Sequence, residues 1–61
     1  MNQDQKSRIF KLIDQAIMLD FAEIGYWKQC KQRNSDFAKR NVIQANESIK
    51  NLSEIKQMLN K

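Results

Sequence analysis

The chain has 61 residues, with eleven lysines and arginines against seven aspartates and glutamates, and a net charge of +4. A chain this short forms one domain at most, and its core is marginal without metals, disulfides or association. It has one cysteine, Cys30, and no histidine, which excludes an internal disulfide and the usual zinc ligand sets. We therefore expect one domain over residues 1–61, in a reducing, cytoplasmic setting.

Neither targeting nor membrane insertion is indicated by the apolar pattern. The first eight residues are polar and mixed in charge, unlike a signal or transit peptide. The longest apolar-rich run, residues 16–27, is too short to span a bilayer and includes Asp20 and Glu23. We expect no membrane partner.

Two long helices are predicted because helix breakers are nearly absent: there is no proline and only one glycine. Asn2 can cap the first helix, with Gln5 in the capping-box position, and this helix is expected to cover about 3–33. The triplet Asn-Ser-Asp at 34–36 is the only cluster of cap and turn residues inside the chain. A second helix is expected over about 36–60, so the predicted fold is all-α, an antiparallel two-helix hairpin.

The apolar residues of the two helices fit this hairpin. If the chain reverses near residue 34, positions whose numbers add to about 69 lie opposite each other. Apolar residues on both helices then recur at steps of three and four, the spacing of packed helices. The predicted layers are Trp27 with Val42, Ile24 with Ala45, Phe21 with Ile49, Ile17 with Leu52, Ile13 with Ile55 or Lys56, and Phe10 with Leu59.

The first helix carries a second apolar row, whereas the outer positions of the second helix, such as Asn46, Lys50 and Glu54, are polar. A long exposed apolar surface normally marks an interface. We predict a homodimer, a four-helix bundle with the two copies of the first helix at its centre, without assigning its orientation. The row contains Ile9, Leu12, Ala16, Leu19, Tyr26 and Cys30, beside Met18 and Ala22, and the expected interface is Ile9, Leu12, Ala16, Leu19, Ala22 and Tyr26.

Gly25 has three interpretations. It is a tolerated glycine inside the helix, or a point of fraying or kinking. Alternatively, it forms a small-residue patch with Ala22 that lets a partner helix approach closely. As a third alternative it is a true helix stop, which gives three helices.

The sequence argues against catalysis. It has no histidine base, no glycine-rich phosphate loop and no nucleophile with an activating partner. Asp20 and Glu23 share a helical face and, doubled by a dimer axis, are candidate metal ligands, but the Glu-x-x-His element of di-iron bundles is absent. We expect a solvated or interfacial acid pair and no enzyme activity, cofactor, metal or small-molecule substrate. Cys30 is expected to be a packing residue, with thiol reactivity beside Lys28 and Lys31 as a minor alternative.

All of the excess positive charge lies in residues 28–40, where five cations stand against Asp36 alone. This asymmetry is the most specific functional signal in the sequence. Cations near the end of the first helix complement its dipole, but Lys39 and Arg40 lie in the first turns of the second helix, where positive charge is unfavourable. We name the five cations the basic tip and predict a docking site formed by it with Tyr26: Tyr26, Lys28, Lys31, Arg33, Lys39 and Arg40.

An acidic protein is the expected partner, and the expected role is that of a small regulatory or adaptor protein acting by protein binding. The alternative is a dimeric nucleic-acid-binding modulator whose basic tip contacts an RNA or DNA backbone, with Tyr26 free to stack. In size and layout the chain resembles the Rop family, small dimeric helical hairpins that modulate plasmid RNA pairing. This resemblance is one of architecture and transfers no site residue.

Overall fold

The computed structural model describes residues 2–60, which form two α-helices, α1 (Gln3–Gln29) and α2 (Asp36–Leu59). The helices pack against each other as an antiparallel hairpin, so the predicted all-α hairpin is confirmed. Helix α1 continues without interruption through Gly25. The three-helix alternative is therefore wrong.

Both helix starts are capped as the sequence predicts. At the start of α1, the Gln5 amide donates to Asn2 Oδ1 at 2.8 Å and the Asn2 amide donates to Gln5 Oε1 at 3.4 Å. At the start of α2, the Ala38 amide donates to Ser35 Oγ at 3.1 Å. These side chains satisfy amides that have no partner inside the helix.

Helix α1 ends at Gln29 rather than near Arg33, which corrects the predicted boundary. Cys30 is extended (φ −68°, ψ 147°), and residues 31–34 form turns. The Arg33 amide donates to the Cys30 carbonyl at 3.1 Å and the Ser35 amide to the Gln32 carbonyl at 2.9 Å. No residue between 30 and 33 is a helix breaker, so local propensity gives no stop here. The chain leaves the helix because α2 must turn back to pack against α1.

The core of the hairpin is small. Ile13 and Ile24 of α1 and Ala38 and Ala45 of α2 are the buried apolar residues among those described. Some of the half-buried residues extend these four into one stripe along each helix, in which three-residue and four-residue steps alternate strictly. The half-buried apolar members of the stripes from the predicted layers are Phe10, Ile17, Trp27, Val42, Ile49, Leu52 and Leu59.

Two predicted core residues point outward. Phe21 is 59% exposed and Ile55 is 45% exposed. Asp20 is half-buried instead, since strict alternation from Ile17 to Ile24 selects position 20 rather than 21. Asp20 Oδ2 is shielded from solvent and has no hydrogen-bond partner among the described residues.

The sequence pattern placed either Ile55 or Lys56 opposite Ile13, near the open end of the hairpin. In the structure, Lys56 rather than Ile55 faces α1. It is half-buried, and its Nζ donates to Asp14 Oδ1 at 2.8 Å. The numbers of this pair add to 70, which agrees with the predicted register at this end. Both side chains remain substantially exposed, so the pair contributes at most about 1 kcal/mol to stability.

The hairpin is elongated and exposes much of its surface. Its extents are 46 × 15 × 11 Å and its radius of gyration is 14.3 Å, whereas a compact domain of this length has about 10.5 Å. The accessible area is 5145 Å², against roughly 4,200 Å² for a compact monomer of 7.3 kDa. The hairpin alone thus exposes about 900 Å² more than its mass requires.

We expect Asp20→Leu to stabilise the hairpin. An acceptor that is shielded from water without a partner costs about 1–3 kcal/mol, and leucine adds apolar contact with α2. Each kcal/mol corresponds to about 4–8 °C in Tm for a domain of this size. Thermal unfolding, followed by far-ultraviolet circular dichroism at one fixed protein concentration, measures the change. Glu54→Leu, an equal charge change at an exposed position of α2, is the control and should move Tm little; a lower Tm for Asp20→Leu contradicts the assignment.

Candidate functional site

An aromatic cluster joins the two helices beside the turn. The Trp27 ring makes edge-to-face contacts with Tyr26 (centroids 5.1 Å apart, interplanar angle 80°) and with Phe37 of α2 (5.4 Å, 78°). Such contacts add about 0.5–1.5 kcal/mol each beyond the area they bury. Trp27 is half-buried, as its predicted place in the core implies. The cluster holds the end of α1 against the start of α2.

A groove lies at the turn end of the hairpin, which we name the tip groove. Its volume is about 430 Å³ and it opens widely to solvent. The lining combines apolar side chains from both helices with cations from α1, the turn and α2. The lining residues are Trp27, Lys28, Arg33, Asn34, Lys39, Val42 and Ile43.

The fold brings together three of the five cations of the basic tip. Lys28, Arg33 and Lys39 line the tip groove, whereas Lys31 and Arg40 do not. Lys39 and Arg40 separate because neighbouring positions on a helix point about 100° apart. Arg33 reaches the groove because α1 ends early and places this residue in the turn. The basic tip is therefore divided into a groove set and an outlying pair.

Tyr26, which the sequence places in the docking site, does not line the tip groove. It is 64% exposed, and its ring rests against Trp27. Trp27 and Val42, assigned to the core, do line the groove with their exposed parts, and Ile43 and Asn34 were not predicted there at all. The sequence did contain a signal for Ile43: it is an apolar residue outside the core stripe, and it lies four positions after Lys39, on the same face of α2.

No lining residue of the tip groove is acidic. The single ion pair within residues 2–60 joins Asp14 and Lys56 at the other end of the hairpin. Asp36, the one acid among residues 28–40, makes no ion pair with Lys39 or Arg40. The three groove cations therefore lie beside apolar side chains, and none of them forms an ion pair within residues 2–60.

The second apolar row of α1 is exposed in part. Leu12, Leu19 and Tyr26 recur every seven residues on one face of α1, which we name the α1 outer face, and are 57%, 71% and 64% exposed. Ala22 is also exposed, while Ile9, Ala16 and Cys30 are half-buried. A second open groove of about 450 Å³ is lined by Gln15, Met18, Leu19 and Ala22.

Exposed apolar residues are not confined to α1. The outer positions Asn46, Lys50 and Glu54 of α2 are exposed and polar, as expected. Helix α2 nevertheless also exposes Phe37, Ile43, Ile55 and Met58, between 45% and 71%. The apolar excess of the hairpin is thus shared between the helices, although the long continuous row lies on α1.

The acid pair and the cysteine singled out in the sequence have different surroundings. Asp20 turns toward the core while Glu23 is exposed, and no group of three or more potential metal ligands occurs within residues 2–60. Cys30 is a half-buried free thiol, and its Sγ accepts a hydrogen bond from the Gln32 amide at 3.4 Å. No helix in this part of the chain is both long enough and apolar enough to cross a bilayer.

Comparisons with protein-family models, with curated proteins and with solved structures find no match for this chain.

We expect Gly25→Ala to stabilise α1 by about 1 kcal/mol, since alanine is the better helix former. The backbone at Gly25 has no positive φ, and a Cβ built there meets no atom within 4 Å, so the hairpin itself does not need glycine. Urea unfolding at fixed protein concentration measures the gain. A loss of stability would contradict this expectation and point instead to a partner helix packed close to Gly25 and Ala22.

Proposed function

We propose that this chain is a small, non-enzymatic regulatory or adaptor protein that binds an acidic protein through its basic tip. The observation that carries the proposal is the tip groove, where Lys28, Arg33 and Lys39 lie beside apolar side chains and form no ion pair within residues 2–60. An acidic surface supplies the opposite charge, and complementary charges accelerate association and select the partner. A cytoplasmic setting suits a chain with one free cysteine.

Protein is favoured over nucleic acid by the character of the groove. Its floor is apolar, whereas a site that tracks a nucleic-acid backbone needs cations along its path and exposed aromatic faces for stacking. Trp27 is the one aromatic side chain among the lining residues of the groove, so successive bases would find no row of aromatic faces on which to stack. Binding to RNA or DNA is therefore the alternative that the experiments must separate.

We also propose that the protein acts as a homodimer, a four-helix bundle assembled through the α1 outer face. The hairpin exposes about 900 Å² more than a compact monomer of its mass. A standard interface buries about 800 Å² on each partner, so one such contact accounts for the excess. Leu12 and Leu19 lie at the centre of the proposed interface, and the groove beside Leu19 and Ala22 can receive side chains of a second copy.

The partner proposal is tested by recovering the tagged protein from its native host, with and without nuclease treatment. We expect an acidic protein that survives nuclease and is lost with the double variant Lys28→Glu/Lys39→Glu. The control is Lys6→Glu/Lys50→Glu, the same charge change at positions away from the tip groove, which should retain the partner. Recovery of nucleic acid that depends on the tip, or of proteins indifferent to the tip, would contradict the proposal.

The dimer proposal predicts that Leu19→Glu gives a monomer or a loss of helicity, and Leu12→Glu the same. A glutamate at the centre of an apolar interface is buried without a partner, at a cost of several kcal/mol. Light scattering measures the mass and circular dichroism the helicity. Asn46→Glu, on an exposed polar part of α2, is the control and should leave the mass unchanged. An unchanged dimer with Leu19→Glu would reject this interface, and a monomeric parent protein would reject dimerisation.

A further inference from the structure

Taking the proposed binding function as its basis, we infer that the tip groove accepts an acidic peptide segment with one large apolar side chain. The aliphatic or aromatic anchor packs on Trp27, Val42 and Ile43. Carboxylates on either side of the anchor pair with Lys28, Arg33 and Lys39. The inference thus specifies the partner's chemistry: charge and an apolar anchor together, within one short segment.

The apolar part of the tip groove favours a ligand with an apolar anchor side chain. Ile43 is 58% exposed and lies outside the stripe that packs α2 against α1, so it contributes little to the hairpin core. Beside it, Trp27 and Val42 add the exposed parts of half-buried side chains. A volume of about 430 Å³ is near the lower end of the range for ligand pockets, about 300–1,000 Å³. This widely open groove has room for one large apolar side chain laid against its lining.

The cations of the tip groove favour carboxylates on the ligand. These three cations come from separate parts of the fold: Lys28 from the last turn of α1, Arg33 from the turn, and Lys39 from the first turns of α2. They therefore reach the groove from three elements rather than from one helix. Carboxylates bound by lysine and arginine form charge-assisted hydrogen bonds, which are stronger than neutral ones, and Arg33 can hold a carboxylate with two parallel bonds.

The groove walls are held in place before any ligand binds. The turn is closed by the Arg33 and Ser35 amide hydrogen bonds, and Ser35 caps α2. Trp27 is clamped between Tyr26 and Phe37. A preformed site loses less conformational entropy on binding, so a short segment is sufficient as the ligand.

The first test is selection of a random peptide library displayed on phage against the immobilised, full-length protein. We expect enrichment of peptides that combine several aspartates or glutamates with one leucine, isoleucine or phenylalanine. No enrichment, or enrichment of acidic peptides that lack an apolar residue, would overturn the inference. In the latter case the proposed acidic-protein function survives, because the charge requirement is met without the anchor.

The second test measures the affinity of an enriched peptide by fluorescence anisotropy, with two pairs of matched variants. Lys39→Glu should weaken binding at least about tenfold, and Arg40→Glu less than about threefold, because only Lys39 lines the groove. Ile43→Ala should weaken it about fivefold or more, while Ile55→Ala, an exposed isoleucine of the same helix, should not change it. Equal losses for Lys39→Glu and Arg40→Glu, or none for Ile43→Ala, would overturn the inference.

Trp27 is the single tryptophan of the chain, so its fluorescence reports the floor directly. An anchored peptide should shift or quench this emission, and the same peptide with its anchor changed to serine should not. A labelled RNA duplex and a single strand of RNA are the competing probes. If RNA binds more tightly than the peptide, with a steep salt dependence and no effect of Ile43→Ala, the basic tip is a nucleic-acid surface, and both the inference and the proposed function fail.

Discussion

The contact between α1 and α2 along one narrow stripe is the constraint on which the rest of the molecule depends. Each helix contributes one residue per layer, alternating in steps of three and four, and only four apolar residues within positions 2–60 are buried by this contact. Two helices alone cannot cover a wider surface. The remaining large apolar side chains therefore stay at the surface, where Leu12, Met18, Leu19 and others are more than half exposed. The proposed dimer follows from this geometric limit.

The same contact creates the tip groove. Because α2 must return against α1, α1 ends at Gln29 and Arg33 is placed in the turn. Trp27 then meets Phe37 across the turn, which leaves one side of Trp27 and the neighbouring side of α2 uncovered. Three of the five cations distributed along residues 28–40 come to line one apolar groove only after this closure. The proposed binding site is thus a product of how the hairpin closes.

The α1 outer face and the tip groove are chemically different surfaces, and the proposed functions divide between them. The α1 outer face is apolar, and residues 12–27 carry Asp14, Asp20 and Glu23 but no cation. The tip groove is lined by apolar side chains together with three cations. A face without excess positive charge suits contact with a second copy, whereas a groove lined by cations selects acidic partners. Self-association and partner binding can therefore occur on one small chain without competing for the same residues.

Much of the fold was predictable because it rests on local chemistry. Helix formation and capping depend on residues within a few positions of each other: the chain has no proline, Asn2 and Ser35 cap the helices, and apolar residues recur periodically. These local features predict the two helices, the residue at which each begins and most of the layers between them. The position of Phe21 was not predictable in this way. The residue that follows Ile17 in the stripe facing α2 can lie three or four positions later, because both steps keep it on the same face of the helix. Hydrophobicity favoured Phe21 for this position, whereas the packing of the two helices places Asp20 there.

Local sequence patterns specify a helical hairpin with a second apolar row on its first helix and all of its excess charge near the turn. The packing of the two helices sets where α1 ends, which cations converge and which apolar residues lie beside them. Composition and periodicity report the neighbours of a residue along its own helix. The tip groove joins Lys28, Arg33 and Ile43, which belong to α1, the turn and α2, and their meeting depends on the direction in which each helix presents its side chains once the two helices pack.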